Sequence, residues 1–176
     1  ALASTMREKD AKVYSHMMRV GLLAGAIALK MGLPMSASQR VAWGARIHDI
    51  GKREDEILAV VNKEGKLTPE ERAVMERHTL AGADIISAED RLDPVSRRAG
   101  RRAALNHHET FDGKGYPRGI SGEAIPIEAR GTTVADYYDA LMEHRPYRAG
   151  MASERAVSIM AQDARRFDPE VWRAFL

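Results

Sequence analysis

Five of the six histidines, His16, His48, His78, His107 and His108, fall at or near the ends of segments with helical periodicity that lie far apart in the chain. A single imidazole on a helix is most often a hydrogen-bonded core residue. Here, however, they come with His48-Asp49 and His107-His108 dyads, and a fold that gives them one purpose must bring several helix ends together. Successive helical residues diverge by about 100°, so both members of a dyad reach one centre only if it lies against a helix end. Two such dyads facing each other, with an aspartate able to bridge, describe a dinuclear site with ions roughly 3.5–4 Å apart. Imidazole and carboxylate donors suit Fe, Mn, Ni, Co or Zn without selecting among them.

The composition favours an all-α fold, since Ala, Arg, Met, Leu and Glu are plentiful while β-branched and aromatic residues are sparse. At 176 residues the chain reads as one domain over residues 1–176. There is no cysteine, which excludes disulfides, cysteine-zinc sites and a cysteine nucleophile and suits a reducing cytoplasm. A net charge of +2 gives no argument for nucleic-acid binding. The longest uncharged run, Val20 to Leu29, falls short of the roughly 20 apolar residues of a membrane span and has no signal-peptide cleavage signature.

Periodicity predicts one helix over residues 5–31, with Val13, Met17, Val20, Leu23, Ala24, Ile27 and Met31 on its apolar face. Its polar first turns open without a clear cap, which suggests a helix continuing from an upstream regulatory domain of a longer chain. Ser36 with Gln39 reads as a capping box opening a second helix that runs to His48-Asp49. A short helix follows around Asp55–Val61. Thr68-Pro69-Glu70-Glu71 combines an N-cap, a proline at the first helical position and a reciprocal glutamate, starting a helix that carries Val74, Met75 and His78. A further helix covers roughly residues 80–88. Pro94 precedes a helix ending at His107-His108, with Arg97, Arg98, Arg101 and Arg102 along one side as a solvated face or a contact for an anionic partner. Residues 109–126 form an irregular loop, Pro126 opens a helix to about Met142, and Asp168-Pro169 caps the last one.

The stretch Asn106-His107-His108-Glu109-Thr110-Phe111-Asp112-Gly113-Lys114-Gly115-Tyr116-Pro117 concentrates the chemistry. Its glycines permit the positive φ of a tight loop, and Tyr116 projects from a loop stiffened by Pro117. His48-Asp49 is similar to the signature of the HD phosphohydrolase superfamily. The loop from His108 to Pro117 resembles its HD-GYP branch, as does the run Val134-Ala135-Asp136-Tyr137-Tyr138-Asp139-Ala140-Leu141 followed by Arg145-Pro146-Tyr147-Arg148. The match extends from His16 to Asp168-Pro169.

The resemblance implies an HD-domain helical bundle with an irregular GYP loop. It also implies a bacterial cytoplasmic phosphodiesterase that hydrolyses cyclic di-GMP to linear pGpG, or on to GMP, through a bridging hydroxide on two divalent ions. Iron or manganese leads as the metal, with zinc, nickel or cobalt as alternatives. Carried over by position, His16, His48, Asp49 and Asp136 hold one ion, and Asp49 bridges to a second held by His78, His107 and His108. Asp49 and Lys52 are the catalytic positions; Lys52, Tyr116, Asp139, Arg145 and Arg148 face the substrate phosphates and guanines. GGDEF-type or other signalling proteins, and a second copy in a homodimer, are the partners the resemblance suggests; neither nucleic acid nor membrane is.

Arg19 shares a helix face with His16 and reads equally as an outer residue of the site or a simple ion-pair partner. Relatives with a third metal carry a glutamate four residues before the first histidine, and here that position is Lys12, so the two-metal form is expected. Two other functions are consistent with the same residues. One is a hydrolase of a different nucleotide or cyclic dinucleotide; the other is a catalytically silent effector module.

Overall fold

The computed structural model describes residues 2–143 and 150–176, and every regular element among them is helical. In chain order these are α1 (Leu2–Lys9), α2 (Ala11–Lys30), α3 (Met35–Ala45), α4 (Asp55–Val61), α5 (Pro69–Glu76), α6 (His78–Ser87), α7 (Pro94–Asn106), α8 (Ile127–Met142), α9 (Ser153–Gln162) and α10 (Pro169–Phe175). Short 3-10 turns lie at Ile50–Arg53, Gly122–Ala124 and Ala164–Arg166. Among the described residues no helix is long and apolar enough to cross a membrane.

The all-α expectation holds, but several boundaries move. The single helix expected over residues 5–31 breaks at Asp10, whose extended backbone and carboxylate cap the N–H groups of Lys12 and Val13. Apolar periodicity runs across the break and conceals it. The Ser36–Gln39 box does not form: α3 starts directly behind Pro34, and the Ser38 hydroxyl turns back to the carbonyls of Leu33 and Pro34. Helix α3 also ends at Ala45, before the His48-Asp49 dyad it was expected to reach. His78, expected on the helix that Pro69 begins, is instead the first residue of α6. Where the capping chemistry is local and complete, reading and structure agree. Thr68 and Glu71 form the reciprocal box of α5, and Asp168 caps α10 with proline in the first turn; at α7 the structure adds Asp93 as the cap ahead of Pro94.

Helix α2 is the spine, packed against α1, α3, α8 and α10, while α7 lies across α3, α6 and α8. One apolar cluster joins Val20, Ala24, Ile27 and Ala28 of α2 to Val41 and Ala45 of α3, Val134 and Ala135 of α8, Met160 of α9 and Phe167 and Val171 near the end of the chain. A second joins Leu2, Met6, Met17, Ile47, Ile50, Ile86 and Ala104. Each fully buried isoleucine of that second cluster contributes about 1.5–3 kcal/mol by leaving water. Met17, Ile47 and Ile50 are sequence neighbours of His16, His48 and Asp49, so the burial that stabilises the bundle also fixes where those polar side chains emerge.

Glycines allow the closest approaches. A Cβ on Gly44 would stand 2.9 Å from both the Ala103 Cβ and the Ala99 carbonyl, which keeps α3 tight against α7. At Gly51 a Cβ would fall 2.0 Å from the His78 carbonyl oxygen and 2.5 Å from the Gly82 nitrogen. The 3-10 turn after Asp49 therefore lies directly on the backbone of α6.

Candidate metal centre

The five histidines and two aspartates expected to converge do so at the meeting of α2, the turn after α3, the start of α6, the end of α7 and the middle of α8. His48 and His78 are 0 % exposed, and Asp49 and His107 are 1 % exposed. Local structure aims each ring. His48 Nδ1 lies 2.7 Å from the Ala45 carbonyl oxygen, His78 Nδ1 2.6 Å from that of Met75 and His107 Nδ1 3.0 Å from that of Ala104. A carbonyl can only accept, so each Nδ1 carries the proton and each Nε2 presents a lone pair. Termination of α3 and α7 just before these residues supplies the carbonyls, an arrangement an uninterrupted helix would have denied them.

Those Nε2 atoms converge on Asp49. Its Oδ2 is 3.3 Å from His48 Nε2 and 3.7 Å from His16 Nε2. Its Oδ1 is 3.4 Å from His78 Nε2 and 3.5 Å from His107 Nε2. One carboxylate thus faces two groups of donors. Asp136 Oδ1 approaches His16 Nε2 at 3.1 Å and His48 Nε2 at 4.0 Å. The ligand atoms of His16, His48 and Asp49 lie within 4.8 Å of one another, as do those of His78, His107 and His108, and His48, His107 and Asp136 link the two groups.

This donor set fits metal ions. Nε2 of His48 and Oδ1 of Asp49 are buried without a hydrogen-bond partner among the described residues, which is costly unless something else satisfies them. Nε2 of His78 stands 3.2 Å from Nε2 of His107, and with both Nδ1 atoms protonated two lone pairs face each other there. A cation removes both conflicts.

Electrostatics point the same way. Burial first, then the charge of Lys52, pushes His78 down to about 3. Burial also holds His107 and His108 below the ordinary imidazole value. These rings are therefore held neutral at pH 7. For Asp49, burial opposes ionisation, but the ring of imidazoles around it and the Lys52 ammonium outweigh it and hold the carboxyl well below its usual range. Asp136 is held low similarly: burial opposes, and the His16 hydrogen bond and charge prevail. His16 differs. Burial disfavours its cation, yet hydrogen bonds to Asp136 and Asp139 push it up to about 9.

Lys52 places Nζ 2.5 Å from Asp49 Oδ2 at a half-buried position, at the edge of the cluster. Tyr116 stacks on His108, with centroids 4.7 Å apart and planes inclined by 24°; burial, and then the charge of Asp49, raise its phenol. Of the loop glycines, Gly113 has the positive φ expected, at 76°. Gly115 serves another purpose. A Cβ there would lie 2.3 Å from the His108 carbonyl oxygen, so glycine lets the loop settle on the His107-His108 turn and carry Tyr116 to the ring.

The Asp139 carboxylate, expected at the substrate, turns to His16 and Arg19. Arg145 and Arg148 lie outside the described residues, as does His144. Lys12 is exposed on the first turn of α2. Of the arginines on α7, Arg97 donates to the Leu92 carbonyl and Arg102 lies 3.6 Å from Glu128.

Sequence reasoning missed the residues that hold the loop. Glu109 accepts the Arg118 backbone N–H at 2.8 Å, and the Arg118 guanidinium donates to Asn106 Oδ1 at 2.5 Å. Thr133 of α8 donates to the His107 carbonyl at 2.8 Å. A buried glutamate directly after the histidine pair was the available signal for the first contact; the others bridge segments with no local pattern in common.

A sequence profile described as HD domain matches residues 2–171. Among curated relatives, the cyclic di-GMP phosphodiesterase response regulator RpfG of Xanthomonas campestris pv. campestris is 38% identical over 179 residues, covering 99% of this chain and 46% of its own. The 3'3'-cGAMP-specific phosphodiesterase 2 of Vibrio cholerae is 34% identical over 174 residues, covering 97% of this chain and 32% of its own. The chain therefore spans half or less of the length of these relatives. Among solved structures, Bd1817, a HDG"Y"P protein from Bdellovibrio bacteriovorus, superposes with a TM-score of 0.71 at 20% identity, over 93% of this chain and 51% of that one. At that identity the likeness establishes the fold.

Proposed function

The chain belongs to the HD domain family, and from that premise we propose that it is a metal-dependent phosphodiesterase that opens cyclic di-GMP to linear pGpG. The observation that carries this reading is Asp49, buried between two groups of imidazoles with one oxygen toward each. A pair of divalent ions, iron or manganese by preference, would supply the activated water and the Lewis acidity for in-line displacement at phosphorus. No protein nucleophile is then required.

The chain's own residues divide the remaining work. His16, His48 and Asp136 would hold one ion and His78, His107 and His108 the other, with Asp49 shared. The Lys52 ammonium, already at the edge of the cluster, neutralises charge that builds on the phosphate oxygens. Tyr116, with its ring on His108 and its face half-open, offers a base or sugar an aromatic surface beside the reacting bond. Arg145 and Arg148 remain substrate candidates on the strength of their sequence motif. Cyclic di-GMP is preferred because the RpfG relative bears that activity in its name and the Tyr116 and Arg145-Pro146-Tyr147-Arg148 motifs match the same branch.

A turnover assay tests this. Protein reconstituted in turn with Fe(II), Mn(II) and Zn(II) is offered cyclic di-GMP, 3'3'-cGAMP and a third cyclic dinucleotide, with products separated by chromatography. The highest kcat/KM is expected on cyclic di-GMP, with pGpG as first product. Preference for 3'3'-cGAMP would contradict the substrate assignment, and tight binding without turnover would favour a silent effector.

A further inference from the structure

Each of the three histidines His48, His78 and His107 is aimed by a backbone carbonyl, but His16 is aimed by a side chain. Its Nδ1 lies 2.7 Å from Asp139 Oδ2, across 123 residues of sequence. Arg19, one turn along α2 from His16, donates Nε to Asp139 Oδ1 at 2.7 Å and a terminal nitrogen to Oδ2 at 2.9 Å. The same terminal nitrogen reaches Glu143 Oε1 at 3.0 Å, and the Glu143 backbone N–H donates to the Asp139 carbonyl in the last turn of α8.

We infer that Arg19 and Asp139 form a clamp that sets His16, making both positioning residues of the metal centre and removing Asp139 from direct substrate contact. The inference rests on the metal-centre reading above. An ionised carboxylate only accepts, so it fixes the proton of a neutral His16 on Nδ1 and leaves Nε2, 3.1 Å from Asp136 Oδ1, as the ligand atom. Three N–H groups already occupy Asp139, out of the roughly four acceptor directions of a carboxylate, which leaves little for a guanine. The Arg19 fork stops the carboxylate from rotating, and a lysine, with one point charge and no planar pair of donors, cannot reproduce that grip. The carboxylate–histidine arrangement also makes the ring a stronger ligand, and loss of such a partner weakens metal affinity by about 10–100-fold.

Two variants test the clamp. Asp139→Asn keeps the shape but offers a single acceptor oxygen. If that oxygen answers the Arg19 Nε–H, the amide NH2 faces His16 Nδ1, which must then accept, putting the proton on Nε2, the ligand atom. Arg19→Lys keeps the charge at a half-exposed position and removes the fork. Both are loaded with zinc and compared with wild type by chelator competition and by two-bond proton–nitrogen correlation spectra of the imidazoles.

In wild-type protein His16 should show a protonated Nδ1 and a zinc-bound Nε2. Asp139→Asn should lose that signature and release one of the two zinc ions about 10–100-fold more readily, with the signals of His78 and His107 unchanged. Arg19→Lys should shift the His16 signals and weaken the same ion to a smaller degree. Retention of the wild-type His16 signature and of both zinc affinities in Asp139→Asn overturns the clamp while leaving the metal centre standing. If Asp139→Asn does not fold, Arg19→Lys decides, and wild-type spectra and affinities there overturn the inference. A wild-type protein that takes up no zinc refutes the metal-centre reading and the clamp with it.

Discussion

Gly51→Ala is the substitution whose consequence the structure sets most tightly. The new Cβ would lie 2.0 Å from the His78 carbonyl oxygen, 2.5 Å from the Gly82 nitrogen and 2.9 Å from the His78 carbonyl carbon. A comfortable carbon–oxygen approach is about 3.3 Å, so the start of α6 and the turn after Asp49 must part by about 1.3 Å. Every obstructing atom is backbone, and no rotamer change relieves the clash. Overpacking typically costs about 1–3 kcal/mol, and with backbone on both sides the upper end applies. For a chain of this size that lowers Tm by about 6–12 °C. The same displacement separates His78 from Asp49, now 3.4 Å apart, by more than the about 0.5 Å that a metal site tolerates. Thermal unfolding of chelator-treated protein and elemental analysis of loaded protein are the assays, with Gly65→Ala as control. Gly65 has a φ of 91° and, among the described residues, nothing within 4 Å of a Cβ, so alanine there costs about 1–2 kcal/mol in backbone strain and leaves metal content unchanged. A Gly51→Ala protein within about 0.5 kcal/mol of wild type that holds its full metal complement would refute the close-approach argument.

Three further outcomes are expected. Asp49→Ala should lose both ions and all turnover while keeping its helical far-UV signal, because the remaining imidazoles would have to hold two unbridged dications close together; wild-type activity in this variant would refute the shared-carboxylate reading. Tyr116→Ala should retain metal but raise KM by roughly 3–10-fold, the worth of a lost aromatic contact, and loss of metal with unchanged KM would make Tyr116 structural. In metal-free protein His16 is raised to about 9, above its unfolded value, so its contribution to stability is fully present below about pH 6.5 and disappears as pH rises through about 9. The urea midpoint should accordingly fall between about pH 6 and pH 10, less so in His16→Gln, and equal slopes in the two proteins would show that His16 does not carry the effect.

Convergence of the histidines was legible because the dyads are local in sequence and each sits where an apolar helical pattern stops. Helix α5 was equally legible, its proline and reciprocal Thr68–Glu71 box lying within four consecutive residues. What was not legible depended on contacts between distant segments. The tightened turn that presents His48 and Asp49 exists because Gly51 meets the α6 backbone, and nothing near Gly51 announces that partner. The motif assigns Asp139 to the substrate, and nothing near it in the sequence signals the contacts its carboxylate makes with His16 and Arg19 on α2. Asp10 is a different case: its capping chemistry was present in the sequence, but unbroken apolar spacing on both sides outweighed it. Helix α9 went unread because it opens behind Ala152, which makes no side-chain cap.

Anomalous diffraction from crystals of the manganese-loaded protein tests the dinuclear centre most directly. Two peaks are expected, roughly 3.5–4 Å apart, one beside His16, His48 and Asp136 and the other beside His78, His107 and His108, with one oxygen of Asp49 directed at each. A single peak, or two peaks with Asp49 bound to only one of them, would contradict the account.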